Sequence, residues 1–439
     1  MNKRFPLTLR WFLGWVVLVS FALAGCGGES PEGGKTTLRF VAWKFNNPEA
    51  WETIFSAFEE AHPEIRLLRE FAPHSSTQFH ALLSQKLQNQ DPAMDVFLMD
   101  VIWPPEFAAA GWARPLGDFF PEDERRKFLK GPILANTFRG KFYGVPLFID
   151  SGLLYYRKDL LEKHGFQPPE TWEELARQAE AILRAERPSQ PALQGYSGQF
   201  KQYEGLICDM LEFVRSNGGA FLSPVGDRAL VDAPPAVEAV RFVRDRVIGK
   251  LAPRGVLTYQ EPESLALFSQ GNAVFHRNWP YAWAILNDSE KSKVTEKVGV
   301  AKLPHFPSGK SVSALGGWQV GISRFSKHPE AAWKFVSFVT SPAMQKVLAV
   351  QAGRAPTRKA LYQDAEVLKA NPHFREFFDI FLTAYPRPRT PLYPQVTNAL
   401  QAYFSAAISD PASDIPGLAS EVSRNLDRIL ALEKGKSGE

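Results

Sequence analysis

Strand-like and helix-like patterns alternate along this chain from residue 36 onward, and this alternation limits the possible folds more than any other feature. Short apolar runs at 38–42, 65–71 and 96–99 have the length and composition of buried strands. Between them, apolar residues recur at helical spacing, for example across 51–58. Such alternation is typical of α/β proteins with parallel sheets. Because a single core stops growing near roughly 250–300 residues, a chain of 439 residues should form at least two lobes.

The N-terminal residues have the features of a secretory signal. Three basic residues precede an apolar run at 11–22, and the sequence Leu-Ala-Gly-Cys then ends at Cys26. These last four residues resemble a bacterial lipobox. The resemblance implies that 1–25 is a lipoprotein signal peptide and that Cys26 is lipidated. A polar tether at 26–35 would follow. We expect an extracytoplasmic, membrane-anchored lipoprotein in the periplasm or on the outer cell surface; an uncleaved short anchor is the alternative.

Charge and cysteine content exclude several classes of protein. The net charge of +4 comes mostly from the signal, since the remaining chain has 48 basic and 47 acidic residues. A balanced chain has no electrostatic attraction to DNA or RNA, so we expect no nucleic-acid partner. Two cysteines are too few for a disulfide framework or a cysteine-built metal site. With Cys26 lipidated, Cys208 would have no partner and the mature fold no disulfide.

Common catalytic signatures are missing from the sequence. It has no glycine-rich nucleotide loop, no GxSxG elbow and no HExxH, and its eight histidines never fall at a metal-ligand spacing. We therefore expect no metal, no cofactor and no enzymatic activity. A glycosidase stays open as an alternative, because its two carboxylates need no fixed spacing.

Seven sequence blocks carry a family resemblance. They are DVFLMD at 95–100, PLFIDSGLLYYRKDL at 146–160, PPETWEEL at 168–175, QYEGL at 202–206, GNAVFHRNWPYAW at 271–283, LGGWQVGIS at 315–323 and RPRTPLYPQ at 387–395. In this order they resemble the extracellular solute-binding proteins of ABC importers, and within them the trehalose/maltose-binding cluster of the carbohydrate group. Any one block is weak evidence, whereas seven in family order are specific.

The resemblance implies an α/β fold of the periplasmic-binding-protein type, with a ligand cleft between two lobes and multiple hinge crossings. Lobe one would comprise 36–146 and 312–343, and lobe two 147–311 and 344–439. The implied protein is a monomeric receptor that captures an α-linked disaccharide, such as trehalose, maltose or sucrose. It would deliver this sugar to the transmembrane subunits of an ABC permease by hinge closure.

Other ligands and classes stay open. A monosaccharide, a polyol or a longer maltodextrin would suit the same class of receptor. Glycerol phosphate is disfavoured, because two carboxylates in the family site would repel the phosphate. A structural lipoprotein without a sugar ligand is the alternative outside the class.

The family's sugar-contacting positions carry residue types that suit a neutral disaccharide. Asp100 and Asp150 would accept hydrogen bonds from hydroxyls, and Arg387 would donate to them. Aromatic rings would stack on the sugar, and a glycine would let the backbone approach it; these positions are Trp279, Tyr281, Trp318 and Gly317. The remaining implied positions are Asn46, Asn47, Phe79, His80, Phe148 and Glu204.

Some of these positions depart from the trehalose/maltose binders. Asn46 and Asn47 lie in a loop where those proteins have an acid. Phe79 and His80 stand where they have an arginine, and Phe148 replaces a tyrosine. These changes keep the sugar class but weigh against trehalose as the preferred ligand.

Each candidate also has a purely structural interpretation. The two aspartates could cap the helices that follow them, and the aromatic residues could belong to the core. Arg387 could pair with an acid across the proline-rich segment 385–394. Glu204 lies early in a predicted helix, where a carboxylate also suits the helix dipole.

Overall fold

The computed structural model describes residues 34–73 and 75–436. Cys26 and the predicted signal lie outside these residues. The chain is 48% helical and 18% strand, and its strands and helices alternate, which confirms the predicted α/β class. Among the described residues, no helix combines the length and apolar composition needed to cross a bilayer. Cys208 is a free, buried thiol.

In the described residues, twelve strands form three sheets. They are β1 (Thr36–Trp43), β2 (Ile65–Ala72), β3 (Val96–Asp100), β4 (Thr137–Phe138), β5 (Lys141–Phe142), β6 (Val145–Ser151), β7 (Leu153–Arg157), β8 (Gln194–Ser197), β9 (Ala273–Asn278), β10 (Val298–Ala301), β11 (Leu315–Ile322) and β12 (Ala355–Pro356). The first sheet has the order β12-β6-β11-β3-β1-β2, the second has the order β10-β7-β9-β8, and β4 and β5 form a small hairpin.

The helices cover the faces of the two larger sheets. They are α1 (Pro48–Ala61), α2 (Ser76–Gln88), α3 (Pro104–Ala109), α4 (Glu122–Arg125), α5 (Lys130–Ala135), α6 (Lys158–Lys163), α7 (Trp172–Glu186), α8 (Glu204–Ser216), α9 (Pro234–Phe242), α10 (Glu261–Ser269), α11 (Ala282–Leu286), α12 (Pro329–Val339), α13 (Pro342–Ala352), α14 (Ala365–Ala370), α15 (His373–Glu376), α16 (Phe378–Thr383), α17 (Tyr393–Ser409) and α18 (Ile415–Lys436). A π-helical turn at Val243–Val247 and 3-10 turns at Arg254–Thr258 and Lys359–Gln363 complete the regular structure.

Local sequence signals explain where several helices begin and end. At the start of α7, Thr171 Oγ1 accepts from the Glu174 amide, and the Glu174 carboxylate accepts from the Thr171 amide. This reciprocal pair is a capping box, which satisfies two otherwise unpaired donors. Helix α13 ends at Gly353, whose φ of 62° is left-handed and therefore favours glycine. The chain then turns directly into β12.

Four strands of the first sheet bring their cleft-side ends to one edge. Strands β1 and β3 are parallel, so their last residues, Trp43 and Asp100, lie on the same side. Strand β11 is antiparallel to both β3 and β6, and pairs Trp318 with Asp100 and Gly316 with Asp150. The sheet order therefore gathers these residues at one edge, as the strand-end rule predicts for α/β proteins.

Two separate hydrophobic cores confirm the two-lobed organisation. One surrounds the first sheet and the other surrounds the second. The packing differs from the expected assignment of 344–439 to lobe two. Leu348, Leu361 and Phe374 belong to the first core, because β12 pairs with β6 and carries this segment onto the first sheet. Phe377 and Ile380 already belong to the second core, to which α17 then contributes most of its buried apolar residues.

Three chain segments cross between the lobes and are hydrogen-bonded to one another. Ser313 Oγ donates to the Gly152 carbonyl at 2.7 Å, and Tyr385 exchanges backbone hydrogen bonds with Ser313 and Leu315, each at 2.8 Å. A Cβ at Gly152 would overlap Glu212 Oε1, so any larger residue there would have to displace the Glu212 carboxylate. The three segments form the hinge.

Candidate functional site

The cleft between the lobes encloses a cavity of about 600 Å³. Residues from both lobes and from the hinge line it: Trp43, Asn46, Ser76, Asp100, Asp150, Glu204, Gly205, Cys208, Glu261, Trp279, Tyr281, Gly316, Gly317, Trp318, Arg354 and Arg387. We call it the main cavity.

Lobe one contributes carboxylates and a tryptophan on adjacent strands. Asp100 ends β3, Asp150 lies near the end of β6, and Trp318 lies between them on β11. Gly317 has a φ of 122°, and a Cβ there would lie 2.5 Å from the Phe148 carbonyl oxygen. Glycine is therefore required for β11 to bend at this edge.

Lobe two contributes two aromatic residues from the turn after β9. Asn278 Oδ1 accepts from the Trp279 amide at 2.8 Å, and the Tyr155 hydroxyl donates to the Trp279 carbonyl at 2.9 Å. The Arg277 guanidinium lies 3.9 Å from the centre of the Trp279 ring. These contacts fix Trp279 at the main cavity, which Tyr281 also lines.

The Arg277 side chain is itself fixed by buried acids. It donates to Glu212 at 2.6 and 2.7 Å, and its Nε lies 3.2 Å from Asp209 Oδ1. Glu212 Oε1 also accepts from the Ala314 amide of the hinge at 3.0 Å. The Arg277–Glu212 pair that packs against Trp279 is therefore hydrogen-bonded to the hinge.

Arg387 joins acids from the two lobes. Its Nη2 donates to Asp100 Oδ1 at 2.8 Å and its Nη1 donates to Glu204 Oε1 at 2.7 Å. Burial raises the pKa of Asp100, and the neighbouring Arg387 charge opposes that rise. The two acids in turn hold the pKa of Arg387 well above its ordinary value. Arg387 is thus paired with two acids and also lines the main cavity.

Glu204 is fully engaged within the protein. Besides Arg387, its carboxylate accepts from the Tyr393 hydroxyl and, at 2.7 Å, from the Thr397 hydroxyl. It begins α8, while Tyr393 and Thr397 lie on α17. Glu204 therefore lines the main cavity but is held as part of its wall.

Asp150 has unfilled hydrogen-bonding capacity. Within the described residues its Oδ1 is buried without a hydrogen-bond partner, and its Oδ2 lies 3.9 Å from Arg354 Nη1. Burial raises the pKa of Asp150 to about 6; Arg354 opposes the rise and Asp100 adds to it. A buried acceptor without a partner is costly, so this atom is suited to a ligand hydroxyl.

Arg354 is a cavity residue that the sequence reasoning missed. Its guanidinium carbon lies 4.6 Å from the ring centres of both Tyr281 and Phe148, and 5.5 Å from that of Trp43. The cation therefore lies between rings of the two lobes, an arrangement that stabilises a buried charge. The sequence around it carries no motif that marks it.

Three further residues line the main cavity but were not predicted from the sequence: Trp43, Glu261 and Ser76. Trp43 ends β1, so the same strand-end rule that selects Asp100 could have found it. Glu261 begins α10 and accepts from the Trp279 indole at 3.2 Å and from the Tyr203 hydroxyl at 2.8 Å. It orients Trp279, a role that only the folded chain reveals. Ser76 lies at the start of α2.

Most of the implied positions meet at the main cavity, but four do not line it. Phe79 is fully buried against Trp103 and Trp318. Phe148 is covered by the Arg354 guanidinium. Asn47 is buried at the start of α1 without capping the helix. His80 lines a neighbouring cavity and pairs with Glu106 at 2.6 Å.

No metal cluster is evident in residues 34–73 and 75–436. Among them, no group of three or more His, Cys, Asp or Glu side chains could hold a metal ion. The main cavity presents carboxylates, guanidinium groups and aromatic rings, groups that can bind hydroxyls and cover apolar faces.

Sequence relatives identify the family. The family model described as bacterial extracellular solute-binding protein matches residues 42–346. A probable ABC transporter-binding protein of Deinococcus radiodurans is 38% identical over 368 residues, covering 83% of this chain and 86% of that protein. The mannitol-binding protein of Pseudomonas aeruginosa is 24% identical over 345 residues, covering 77% of each chain.

A solved structure agrees with these relatives. The structure of maltose-bound MalE3 of T. maritima has a TM-score of 0.85 and 37% identity, covering 90% of this chain and 100% of that one. These relatives are solute-binding proteins and not enzymes. The chain belongs to the bacterial extracellular solute-binding proteins, in the carbohydrate group of ABC-transporter receptors.

Proposed function

We propose that this protein is a lipid-anchored receptor that captures an α-linked disaccharide in the main cavity and delivers it to an ABC permease. The observation that carries the proposal is Asp150 Oδ1, a buried acceptor without a partner in the described chain, in a cavity that Trp318 and Trp279 also line. A sugar hydroxyl would satisfy that oxygen while the rings cover the sugar's apolar faces.

The expected roles are divided between the lobes. Asp150 and Trp318 would hold the sugar from lobe one, and Trp279 and Tyr281 from lobe two. Asp100 would present its second oxygen while Arg387 holds the first. Because ligand contacts come from both lobes, the sugar favours a closed arrangement that the permease recognises.

Ligand identity is proposed from the chemistry and from the relatives. The structure of MalE3 contains maltose, and that protein is 37% identical to this chain. A polyol is the second candidate, supported by the relative named as a mannitol-binding protein. Its open-chain hydroxyls could reach Asp150, but it would leave the aromatic rings without a sugar ring to stack on.

Isothermal titration calorimetry on the purified full chain in detergent tests the proposal. Maltose, trehalose, sucrose, glucose and mannitol are titrated in turn, and at least one α-linked disaccharide should bind more tightly than glucose or mannitol. Trp279→Ala should weaken that binding about tenfold or more, through loss of the stacked ring. Tightest binding of mannitol would favour the polyol function, and turnover of a chromogenic glycoside would favour a glycosidase.

A further inference from the structure

The Glu212 carboxylate binds lobe two and the hinge at the same time. Its two oxygens accept from the Arg277 guanidinium at 2.6 and 2.7 Å, and Oε1 also accepts from the Ala314 amide at 3.0 Å. The Glu212 and Arg277 side chains are almost completely buried. Because charge-assisted hydrogen bonds in a buried site are strong and directional, these contacts hold the carboxylate in one position.

Each partner of Glu212 is next to a tryptophan of the main cavity. The Arg277 guanidinium lies 3.9 Å from the centre of the Trp279 ring, which packs in the core of lobe two. Ala314 directly precedes β11, the strand of the first sheet that carries Trp318. Both rings line the main cavity. The position of Glu212 therefore affects the spacing between two rings that belong to different lobes.

Helix α8 carries Glu212 between the main cavity and the hinge. Four of its side chains share one face, at i, i+4, i+8 and i+11: Glu204, Cys208, Glu212 and Arg215. The first two line the main cavity. At the other end of this face, the Arg215 guanidinium lies 4.1 Å from the centre of the Tyr385 ring in the hinge. The helix therefore runs from the cavity to the hinge, and Glu212 lies at its hinge end.

A neighbouring acid, Asp209, meets the same guanidinium in a different way. Its Oδ1 lies 3.2 Å from Arg277 Nε without a hydrogen bond in the described chain, and its Oδ2 accepts from the Gln199 amide at 2.9 Å. Burial raises the pKa of both Asp209 and Glu212, and the Arg277 charge opposes both rises. Hydrogen bonds to a carboxylate favour its charged form. Glu212, which accepts three of them, is therefore the acid that carries the charge beside Arg277.

We propose that Glu212 is a positioning residue for sugar binding, which sets the spacing between the Trp279 and Trp318 rings. It holds Arg277 against the first ring and holds the start of the strand that carries the second. This inference rests on the proposed function, since that function assigns the two rings to a sugar. Glu212 does not line the main cavity, so it would act on the sugar only through these neighbours.

A double-mutant cycle, measured by calorimetry on the full chain in detergent, tests this role. The probe is the tightest-binding sugar among maltose, trehalose, sucrose, glucose and mannitol. Glu212→Gln keeps the shape and an acceptor for Ala314 but removes the charge that holds Arg277, so it should weaken binding about tenfold. In a Trp279→Ala background the same change should cost less than about twofold, because the ring that it positions is gone. A merely structural role for Glu212 would make the two losses multiply, and that result would overturn the inference while the proposed function stands.

A second cycle approaches the same contact from the guanidinium. Arg277→Lys keeps the charge but cannot bind both Glu212 oxygens in a fork. It should also weaken binding about tenfold, and this loss should likewise fall below about twofold in the Trp279→Ala background. The second cycle decides the question if Glu212→Gln does not fold. A loss that persists without the Trp279 ring would overturn the inference.

The matched control is Asp209→Asn. It makes the same acid-to-amide change beside the same guanidinium, but both Asp209 oxygens are engaged away from Ala314. Its sugar affinity should stay within about threefold of the wild type. Equal losses in Asp209→Asn and Glu212→Gln would show that the contact with the hinge is not what matters, and would overturn the inference. If no sugar of the panel binds to the wild type, the proposed function fails, and the inference fails with it.

Discussion

Arg354 Nη1 lies 3.9 Å from Asp150 Oδ2, too far for a hydrogen bond between them. Asp150 lies on β6, Arg354 directly precedes β12, and both residues line the same cavity. Their separation leaves both groups able to bind one ligand hydroxyl, which can donate to the carboxylate and accept from the guanidinium. The pair is therefore suited to hold a neutral polyhydroxyl ligand.

The first prediction concerns Asp150. Asp150→Ala removes the acceptor that a sugar hydroxyl would use, and loss of one buried hydrogen-bonding partner typically costs about 1–3 kcal/mol. Calorimetry should show binding of the preferred sugar weakened about tenfold or more. The matched variant Asp118→Ala alters an exposed aspartate outside the cavity and should bind normally. Wild-type affinity in Asp150→Ala would place the site elsewhere.

The second prediction is a pH dependence of sugar binding. Because burial raises the pKa of Asp150 to about 6, its acceptor form is depleted as the pH falls below that value. Sugar affinity should therefore drop up to about fivefold from pH 6 to pH 5 and be nearly constant above about pH 7. The Asp150→Asn variant, titrated at the same pH values, should show a flatter profile. An unchanged slope in that variant would mean that another group controls the effect.

The same pKa has the opposite consequence for the stability of the ligand-free protein. A carboxyl whose pKa is higher in the folded chain than in the unfolded chain stabilises the fold when protonated, and this contribution is lost as the pH rises through about 6. Ligand affinity and the Asp150 contribution to stability should thus change in opposite directions with pH. Because sugar affinity and this contribution to stability have opposite pH dependences, measuring both distinguishes a binding role for the Asp150 carboxylate from a structural role.

Several site residues were predictable because local rules place them. Asp100 ends a buried strand, and the Asn-Trp-Pro-Tyr and Gly-Gly-Trp turns mark Trp279 and Trp318. Arg354 was not predictable, because its position depends on packing between Tyr281 and Phe148, which are distant in sequence. The two-residue strand β12 is likewise too short to recognise from the sequence, and it is what attaches the segment after residue 344 to the first sheet.

The third prediction corrects the expectation for Phe79. The divergent position was expected to tune sugar preference, but the ring is fully buried against Trp103 and Trp318. Phe79→Ala should therefore lower the free energy of unfolding of the first lobe by about 3–5 kcal/mol. Phe79→Leu, which keeps most of the volume, should lose less. Urea unfolding followed by tryptophan fluorescence measures both; wild-type stability in Phe79→Ala would contradict the packing role.

The fourth prediction is compaction on sugar binding. The main cavity is lined from both lobes, so a ligand that contacts both favours the closed arrangement by its differential affinity. Small-angle X-ray scattering should show a smaller radius of gyration at saturating sugar. Trp279→Ala at the same sugar concentration, which is close to its weakened Kd, serves as the control and should compact only in part. An unchanged radius for the wild type at saturation would indicate a site that forms without lobe movement.

The fifth prediction concerns membrane attachment. Cys26 lies outside the described residues, and the lipobox argument makes its thiol the proposed lipid anchor. Since no described helix could span a bilayer, replacing Cys26 with Ala should abolish incorporation of radiolabelled palmitate. The protein should then be released in soluble form or accumulate as the unprocessed precursor, which is larger by the signal peptide. The control is Cys208→Ala, which alters the buried thiol in α8 and should leave labelling and attachment intact. Normal palmitate labelling of Cys26→Ala would show that the lipid is carried by another residue.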